Sequence, residues 1–553
     1  MAGWNMSRWR STASLLLVVG WMGGIAVVRA DGEPAGSGPE IVAGSFGEPT
    51  DRTVEDRDPE AVGDAEPEAN PDEPDAPPEP EEPAAASASA PESTVEPTDT
   101  ALEDSRESIV ESAPSHRIRI KLDATGEIFA PAGRDVPPVR RPIAVDARFD
   151  FVQTDSAAAD RGVIRRYRDA AADVKVEDAV RAARLPTDAR TLRVSIAGAT
   201  PTPSLDTGFL TREELDLLET PFDPLLLDRL LPEVSPTIGG SWTVPADAVA
   251  GLLAIDTVEA GTLDATLVDV GEGRAEVKFS GIIDGAADGV PTHVVVEGTY
   301  AAPAAAAGGM RLDAGITNLA VTIQERREAS HVAPGFDVEA RLTVARTATD
   351  ERADAADAAE PVASSARRSG VGRPGFVWQR DSAGRYDLVH DARWRVIEDG
   401  PDGLVMRLVD RGALVAQCSI IALPRAPSLS PPTIAEVERD LQRSLAGQFG
   451  RLEHSSEAMR SDGVRLVRVV ATGRADGLPF RWIHAVITDD EGDRVAVTCT
   501  LEDALEKRFG AADRELVDGI GLPAPGHSPG KTAGGEETAP DRHARLPQES
   551  RTP

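Results

Sequence analysis

The sequence predicts an α+β protein: an antiparallel-sheet domain with a helical insert, then a second sheet flanked by helices, with disordered tails. Three observations carry this expectation. Apolar and polar residues alternate with period two in many short segments, as in strands buried on one face only. Two capping boxes, Thr211 with Glu214 and Thr433 with Glu436, mark helices among those segments. Acidic or Gly/Pro-rich stretches without apolar periodicity flank and separate the patterned regions.

Taken in chain order, residues 1–30 read as a cleavable secretory signal. Arg8 and Arg10 precede an uncharged apolar run centred on Leu15, Leu16 and Leu17, and Val28-Arg29-Ala30 forms a small-residue exit. A spanning helix needs roughly 20 apolar residues. The run offers about 16, interrupted by Gly20, Gly23 and Gly24, so no stable membrane anchor is expected after cleavage. The expected location is exported, periplasmic or secreted.

Residues 31–115 carry 25 acidic against 3 basic side chains, 14 prolines and a single aromatic, Phe46. Such a segment cannot offset its ordering entropy by burial, so it reads as a disordered acidic Pro-rich spacer. It supplies most of the formal net charge of −35. Negative charge of this density repels nucleic acid and anionic lipid, which excludes both as natural partners. Self-repulsion extending a solvated spacer is the plain reading. Loose Ca²⁺ binding and recruitment of a basic partner are its alternatives.

Residues 116–347 read as the antiparallel-sheet domain. Ile118, Ile120 and Leu122 alternate with Arg117, Arg119 and Lys121, and Ile143 to Phe151 repeats the pattern. Further strands are expected at 192–196, 263–267, 275–279, 294–296, 319–323 and 338–342. The insert between them holds the helix capped at Thr211 and a second helix opened by Asp223-Pro224, with Leu226, Leu227, Leu230 and Leu231 on one flank. Residues 348–372 read as a linker.

Residues 373–522 predict strands at 386–390, 394–398, 404–409 and 414–423, stopped by Pro431-Pro432. A helix from Thr433 follows, with Ile434, Val437, Leu441, Leu445 and Phe449 on one face. Strands return at 452–459, 464–472, 480–488 and 495–500. A final helix from about Leu501 buries Leu505, Phe509, Leu516 and Ile520. Residues 523–553 read as a disordered tail.

Two resemblances accompany this reading. Leu210-Thr211-Arg212-Glu213-Glu214-Leu215-Asp216-Leu217-Leu218, Leu230-Leu231-Pro232 and Gly239-Gly240-Ser241-Trp242 resemble a group of exported bacterial proteins without an assigned activity. In the second half, Tyr386-Asp387-Leu388-Val389-His390 followed by Ala392-Arg393-Trp394-Arg395-Val396 is similar to the opening hairpin of the PsbP superfamily. The helix from Thr433, the strand around Arg481-Trp482 and the run Val495-Ala496-Val497-Thr498-Cys499-Thr500 complete the likeness over about 150 residues. It implies a PsbP-like α/β/α sandwich acting as a non-enzymatic binding or assembly module. A fold that hosts unrelated functions implies no photosynthetic role.

Candidate sites are few. Cys418 and Cys499 each share the apolar parity of their strands, so a disulfide closing about 80 residues, worth roughly 4 kcal/mol, competes with two packed thiols on strands too far apart to bridge. Trp378, Trp394 and Trp482, with Arg393, Arg395 and Arg481, make a candidate aromatic binding patch. Core packing is the alternative, and the parity of Trp394 with Val396 favours it. Two cysteines and eight scattered histidines provide no metal-ligand group. The GxGxxG pattern at Gly370-Val371-Gly372-Arg373-Pro374-Gly375 follows no strand and opens no helix, so it predicts no dinucleotide site. Asp489-Asp490-Glu491-Gly492-Asp493 lacks the twelve-residue calcium spacing, and His390, His454 and His484 stand apart from any nucleophile motif. No cofactor or catalytic residue is expected.

The chain is therefore expected to be an exported, non-catalytic two-domain protein acting as an interaction or assembly module in the cell envelope. Its partner would be an envelope protein whose identity the sequence does not give. The rival expectation is a carrier that binds a lipid or other apolar ligand in the first domain's curved sheet, unless residues 224–231 fill that concavity.

Overall fold

The computed structural model describes residues 114–522, apart from 131–137, 156–161, 198–199, 288–289, 306–308, 330–333, 354–369, 411–412 and 426–430. The secretory signal, nearly all of the acidic spacer, most of the linker and the C-terminal tail lie outside the described residues.

The first half runs β1 (Ser115–Ala130), β2 (Val139–Asp155), β3 (Val163–Val176), β4 (Ala179–Arg184), β5 (Thr191–Ala197), β6 (Thr200–Ser204), β7 (Leu210–Thr211), α1 (Arg212–Leu218), β8 (Ser241–Val244), α2 (Ala246–Leu253), β9 (Thr257–Gly271), β10 (Arg274–Ala287), β11 (Val290–Pro303), β12 (Asn318–Arg327) and β13 (Gly335–Ala348). All but β7 enter one twelve-stranded antiparallel sheet, in the order β6-β5-β3-β2-β1-β13-β12-β11-β10-β9-β8 with β4 paired to β3. Two meanders are thus joined through the ladder between β1 and β13, from His116 opposite Ala348 to Phe129 opposite Gly335.

Alternation decides which face is which. Ile118, Ile120 and Leu122 of β1 are buried with Val338, Ala340 and Leu342 of β13 and Leu319, Val321 and Ile323 of β12. The sheet is open, and its edges are guarded by composition. β6 places Pro201 opposite Ile196 and Pro203 opposite Val194, so that edge lacks two ladder donors, while β8 is only four residues long.

The second half runs β14 (Phe376–Arg380), β15 (Asp387–Asp391), β16 (Trp394–Gly400), β17 (Gly403–Asp410), β18 (Ala413–Leu423), α3 (Ile434–Leu445), β19 (Phe449–Met459), β20 (Arg465–Ala475), β21 (Leu478–Thr488), β22 (Arg494–Glu502), α4 (Glu506–Phe509), α5 (Ala512–Gly519) and β23 (Ile520–Gly521). A seven-stranded antiparallel sheet is ordered β16-β17-β18-β22-β21-β20-β19.

These elements correct the expected fold class. Strands take 61% of the structure and helices 15%, in large open sheets, so the chain is mainly antiparallel β and neither an α+β protein nor an α/β/α sandwich. The physical reason is helix length. On one face of the second sheet only α3 packs, over Val467, Val469 and Trp482, and the expected final helix is broken by Gly510 (φ +59°) into four- and eight-residue pieces. Helices this short cannot form a layer over seven strands.

Both capping boxes are present, with Glu214 N–H bonded to Thr211 Oγ1 and Glu436 N–H bonded to Thr433 Oγ1. The helix expected after Asp223-Pro224 is instead a 3₁₀ turn at Leu227–Leu230, and the Asp223 carboxylate is held by a buried arginine from β3. β3 itself escapes the alternation pattern. Arg165 occupies an inward position, and a bulge at Arg168, skipped between the pairs Phe151–Tyr167 and Asp150–Asp169, shifts the phase along β3.

Candidate functional site

Three places bring polar or reactive side chains together: the inner face of the first sheet, the seam between the halves, and the outer polar face of the first sheet. On the inner face, the insert lies on the sheet. Phe222, Leu226, Leu227 and Leu230 are at most 1% exposed, and the Phe222 ring stands 5.8 Å from Phe279, which stands 6.2 Å from Tyr300. Gly298 is required beneath this stack, since a Cβ there would sit 2.5 Å from the Phe279 ring. Tyr300 Oη and Trp242 Nε1 both donate to Leu230 O, at 3.2 and 2.9 Å.

Buried ion pairs fasten the insert and the inner edge. Arg165 binds Asp223 with two hydrogen bonds of 2.8 and 2.6 Å, donates to Gln153 Oε1 at 3.0 Å and lies over the Phe151 ring at 5.1 Å. Arg327 donates to Glu325 at 2.8 Å and Thr292 Oγ1 at 3.1 Å, over the Phe336 ring at 4.7 Å. The void beside Glu325 and Arg327 measures about 10 Å³, room for one water and no substrate. Sequence reasoning missed these pairs, although parity exposed one: Leu319, Val321, Ile323, Glu325 and Arg327 share one side of β12.

The seam is a four-stranded sheet, β23-β15-β14-β7, in which β7 of the first half pairs in parallel with β14 of the second. Val377 of β14 belongs to the first half's core, and Arg212 Nη1 donates to Ala392 O at 2.9 Å while its Nε lies 2.6 Å from Asp216. Gly372, part of the GxGxxG pattern, has a packing role here. A Cβ on it would fall 1.7 Å from Leu205 O, so only glycine lets the two backbones pass.

His390 sits in the seam at 1% exposure. Its Nδ1 is 2.9 Å from Asp391 O, which places the proton there, and its Nε2 is buried without a hydrogen-bond partner. Burial, aided by the Arg212 charge, pushes its pKa down to about 4 from 6.5. The unfolded chain therefore takes up the proton first. His390's stability contribution is complete above pH 6.5 and is lost as pH falls from 6.5 to about 4, by about 3 kcal/mol over the window. His484, bonded to Thr498 Oγ1 at 2.8 Å, is lowered to about 4 by burial and acts in the same direction. Urea denaturation between pH 7 and pH 4 checks this: H390Q is expected to flatten the decline but not abolish it, because His484 remains.

Cys418 and Cys499 are brought together, directly opposite one another in the β18–β22 ladder, both buried and both free thiols. A hydrogen bond with Cys418, and then burial, raises the pKa of Cys499. Neither thiol is expected to react with an aromatic disulfide reagent in the native reduced protein, and both are expected to react once it is unfolded. The tryptophans are not assembled into a patch. Trp394 packs edge-on to Phe509 at 6.4 Å on one face of the second sheet. Trp482 stacks on Phe480 at 6.0 Å on the other face, and Trp378 lies in the seam on β14. His454 is exposed on β19, and Asp489 to Asp493 form a turn in which Asp489 Oδ1 accepts the Glu491 and Asp493 N–H groups. Among the described residues no group of three metal-ligating side chains occurs.

The outer face of the first sheet carries adjoining depressions of about 370 and 680 Å³, which share Thr299, Ala320 and Thr343. Register explains their shape. One row across the sheet reads Lys278, Thr299, Ala320, Thr343 and Lys121, and the next reads Glu276, Ala301, Asn318, Ala345 and Arg119. In these two rows short side chains on β11, β12 and β13 make a floor, with Lys278 and Glu276 on the β10 bank and Lys121 and Arg119 on the β1 bank; the 680 Å³ depression extends on to Glu297 and Arg341. Arg119 and Lys121 have side chains 62% and 61% exposed, in surface pairs with Asp150 and Asp123.

No family model and no curated protein matches the chain. Solved structures do. Cyanobacterial PsbP from Synechocystis sp. PCC 6803 is 14% identical over 28% of this chain and 96% of its own, with a TM-score of 0.23. Lipovitellin is 8% identical over 42% of this chain and 25% of its own, with a TM-score of 0.22. OccK5 of Pseudomonas aeruginosa is 7% identical over 69% of this chain and 96% of its own, with a TM-score of 0.10. Scores this low carry no argument about fold or function. No helix among the described residues is long and apolar enough to cross a membrane.

Proposed function

We propose that this chain is an exported, non-catalytic interaction or assembly module of the cell envelope. The observation that carries the reading is the closed inner face. The apolar side of the twelve-stranded sheet is covered by the chain's own insert, while the broad polar side and its depressions stay open. The buried guanidinium groups of Arg165 and Arg327 hold carboxylates, hydroxyls and ring faces of their own chain. Such groups anchor structure and reach no substrate. The joined halves add support, because a seam built from both presents their surfaces to a partner in a fixed arrangement.

A lipid carrier needs an empty apolar chamber of several hundred Å³. The position where this sheet would hold one is filled by Phe222, Leu226, Leu227 and Leu230. Native mass spectrometry and organic extraction of the purified full chain test the choice. The bare chain mass with no stoichiometric extractable ligand is expected, and a bound lipid in near-equal molar amount would reverse the assignment in favour of the carrier.

A further inference from the structure

We propose that the furrow on the outer face of the first sheet is a docking bed for an acidic α-helix of a partner protein. The inference rests on the interaction-module reading and names the chemistry of its partner.

Width comes first. The banks on β10 and β1 are separated by four strand steps, which at ~4.8 Å each is about 19 Å. A helix with its side chains is about 10–12 Å across, so it lies between the banks with room for their side chains to fold over it. The floor permits the approach, because Thr299, Ala301, Asn318, Ala320, Thr343 and Ala345 are all short. The floor backbone is already paired within the sheet, so an added strand finds no free ladder, and recognition falls to side chains.

Charge sets the sign of the partner. The 370 Å³ end is lined by Arg119, Lys121 and Arg274 and by no carboxylate, and the 680 Å³ end by Lys278 and Arg341 with Asp264 and Glu297, so cations outnumber carboxylates five to two in a chain whose formal net charge is −35. Arg274 and Lys278 on the β10 bank are exposed and form no ion pair among the described residues. On the β1 bank, the pairs of Arg119 and Lys121 are solvent-exposed and therefore weak, so an incoming carboxylate can replace Asp150 or Asp123 at little cost. No ring or large apolar side chain lies on the floor, which disfavours sugar stacking and an apolar helix face alike. A helix with Asp or Glu on both flanks of one stripe fits between two banks on which the cations Arg274, Lys278, Arg119 and Lys121 outnumber the one carboxylate, Glu276.

The test is fluorescence anisotropy of the full chain with a labelled helical peptide of repeating Ala-Ala-Ala-Ala-Glu-Ala-Glu, which sets Glu on both flanks of an alanine stripe without like charges at i,i+4. Saturable binding that weakens as salt rises is expected, about tenfold weaker for the K121E/K278E double variant and unchanged for R443E/K507E, a control in the second half. Both variants are expected to keep the wild-type unfolding midpoint, since all four side chains are exposed. Absence of saturable peptide binding, equal weakening in both variants, or binding of dextran sulfate without binding of the peptide would each overturn the proposal. Such a failure leaves the interaction reading standing. That reading falls only if the mass measurement finds a stoichiometric lipid.

Discussion

Asp223→Ala is expected to lower the free energy of unfolding by about 3–5 kcal/mol, because it strands the Arg165 guanidinium in the core. The side chains of this pair are 4% and 8% exposed. The aspartate also accepts the Leu225 N–H at 2.8 Å, so the turn that enters the 3₁₀ segment loosens with it. Guanidinium denaturation measures the loss as a lower midpoint with an unchanged slope. A companion double variant, R165M/D223L, is expected to recover most of it, since removing both charges removes the stranded one. A loss below about 1 kcal/mol for D223A would mean that water reaches Arg165 and that the insert does not seal the sheet.

Phe222→Ala is expected to cost about 3–5 kcal/mol and to leave a cavity lined by Phe279 and its neighbours. Phe222 is fully buried, and its backbone is held at φ +53°. The variant therefore tests the filled concavity in two ways. Its unfolding midpoint falls, and it acquires stabilisation by benzene that the wild-type chain lacks, because a dry apolar void binds a small apolar molecule. Wild-type protein equally stabilised by benzene would indicate a pre-existing chamber.

Much of the fold was legible because alternation is a local signal. The strands of the second half, from Asp387–Asp391 to Arg494–Glu502, were expected within a few residues, since each carries its own apolar parity and turn residues. The two capping boxes were legible for the same reason: four consecutive residues contain all the chemistry. What failed was whatever depends on the partner element. β3 hid behind an inward arginine and a bulge, and Asp223 is bound by a residue 58 positions away. The fold class departs from the expectation because helix existence is local whereas helix length is not. Gly510 and the return of the chain as β23 cut the last helix short.

The sites divide in the same way. Parity placed Cys418 and Cys499 on buried faces, but only the β18–β22 register sets them opposite each other. Trp394 and Trp482 fell on opposite faces of one sheet, a distinction that composition does not carry. The furrow needed the order β10-β11-β12-β13-β1, and the pairing of the first strand with the last is invisible until the sheet is assembled.

Both halves form one body, joined at a seam where Leu210 pairs with Val377 and Arg212 reaches Ala392. Differential scanning calorimetry of the full chain tests it most directly. One cooperative transition is predicted, with calorimetric and van't Hoff enthalpies in agreement. Two separable transitions, unmoved by a seam substitution such as Gly372→Ala, would contradict it.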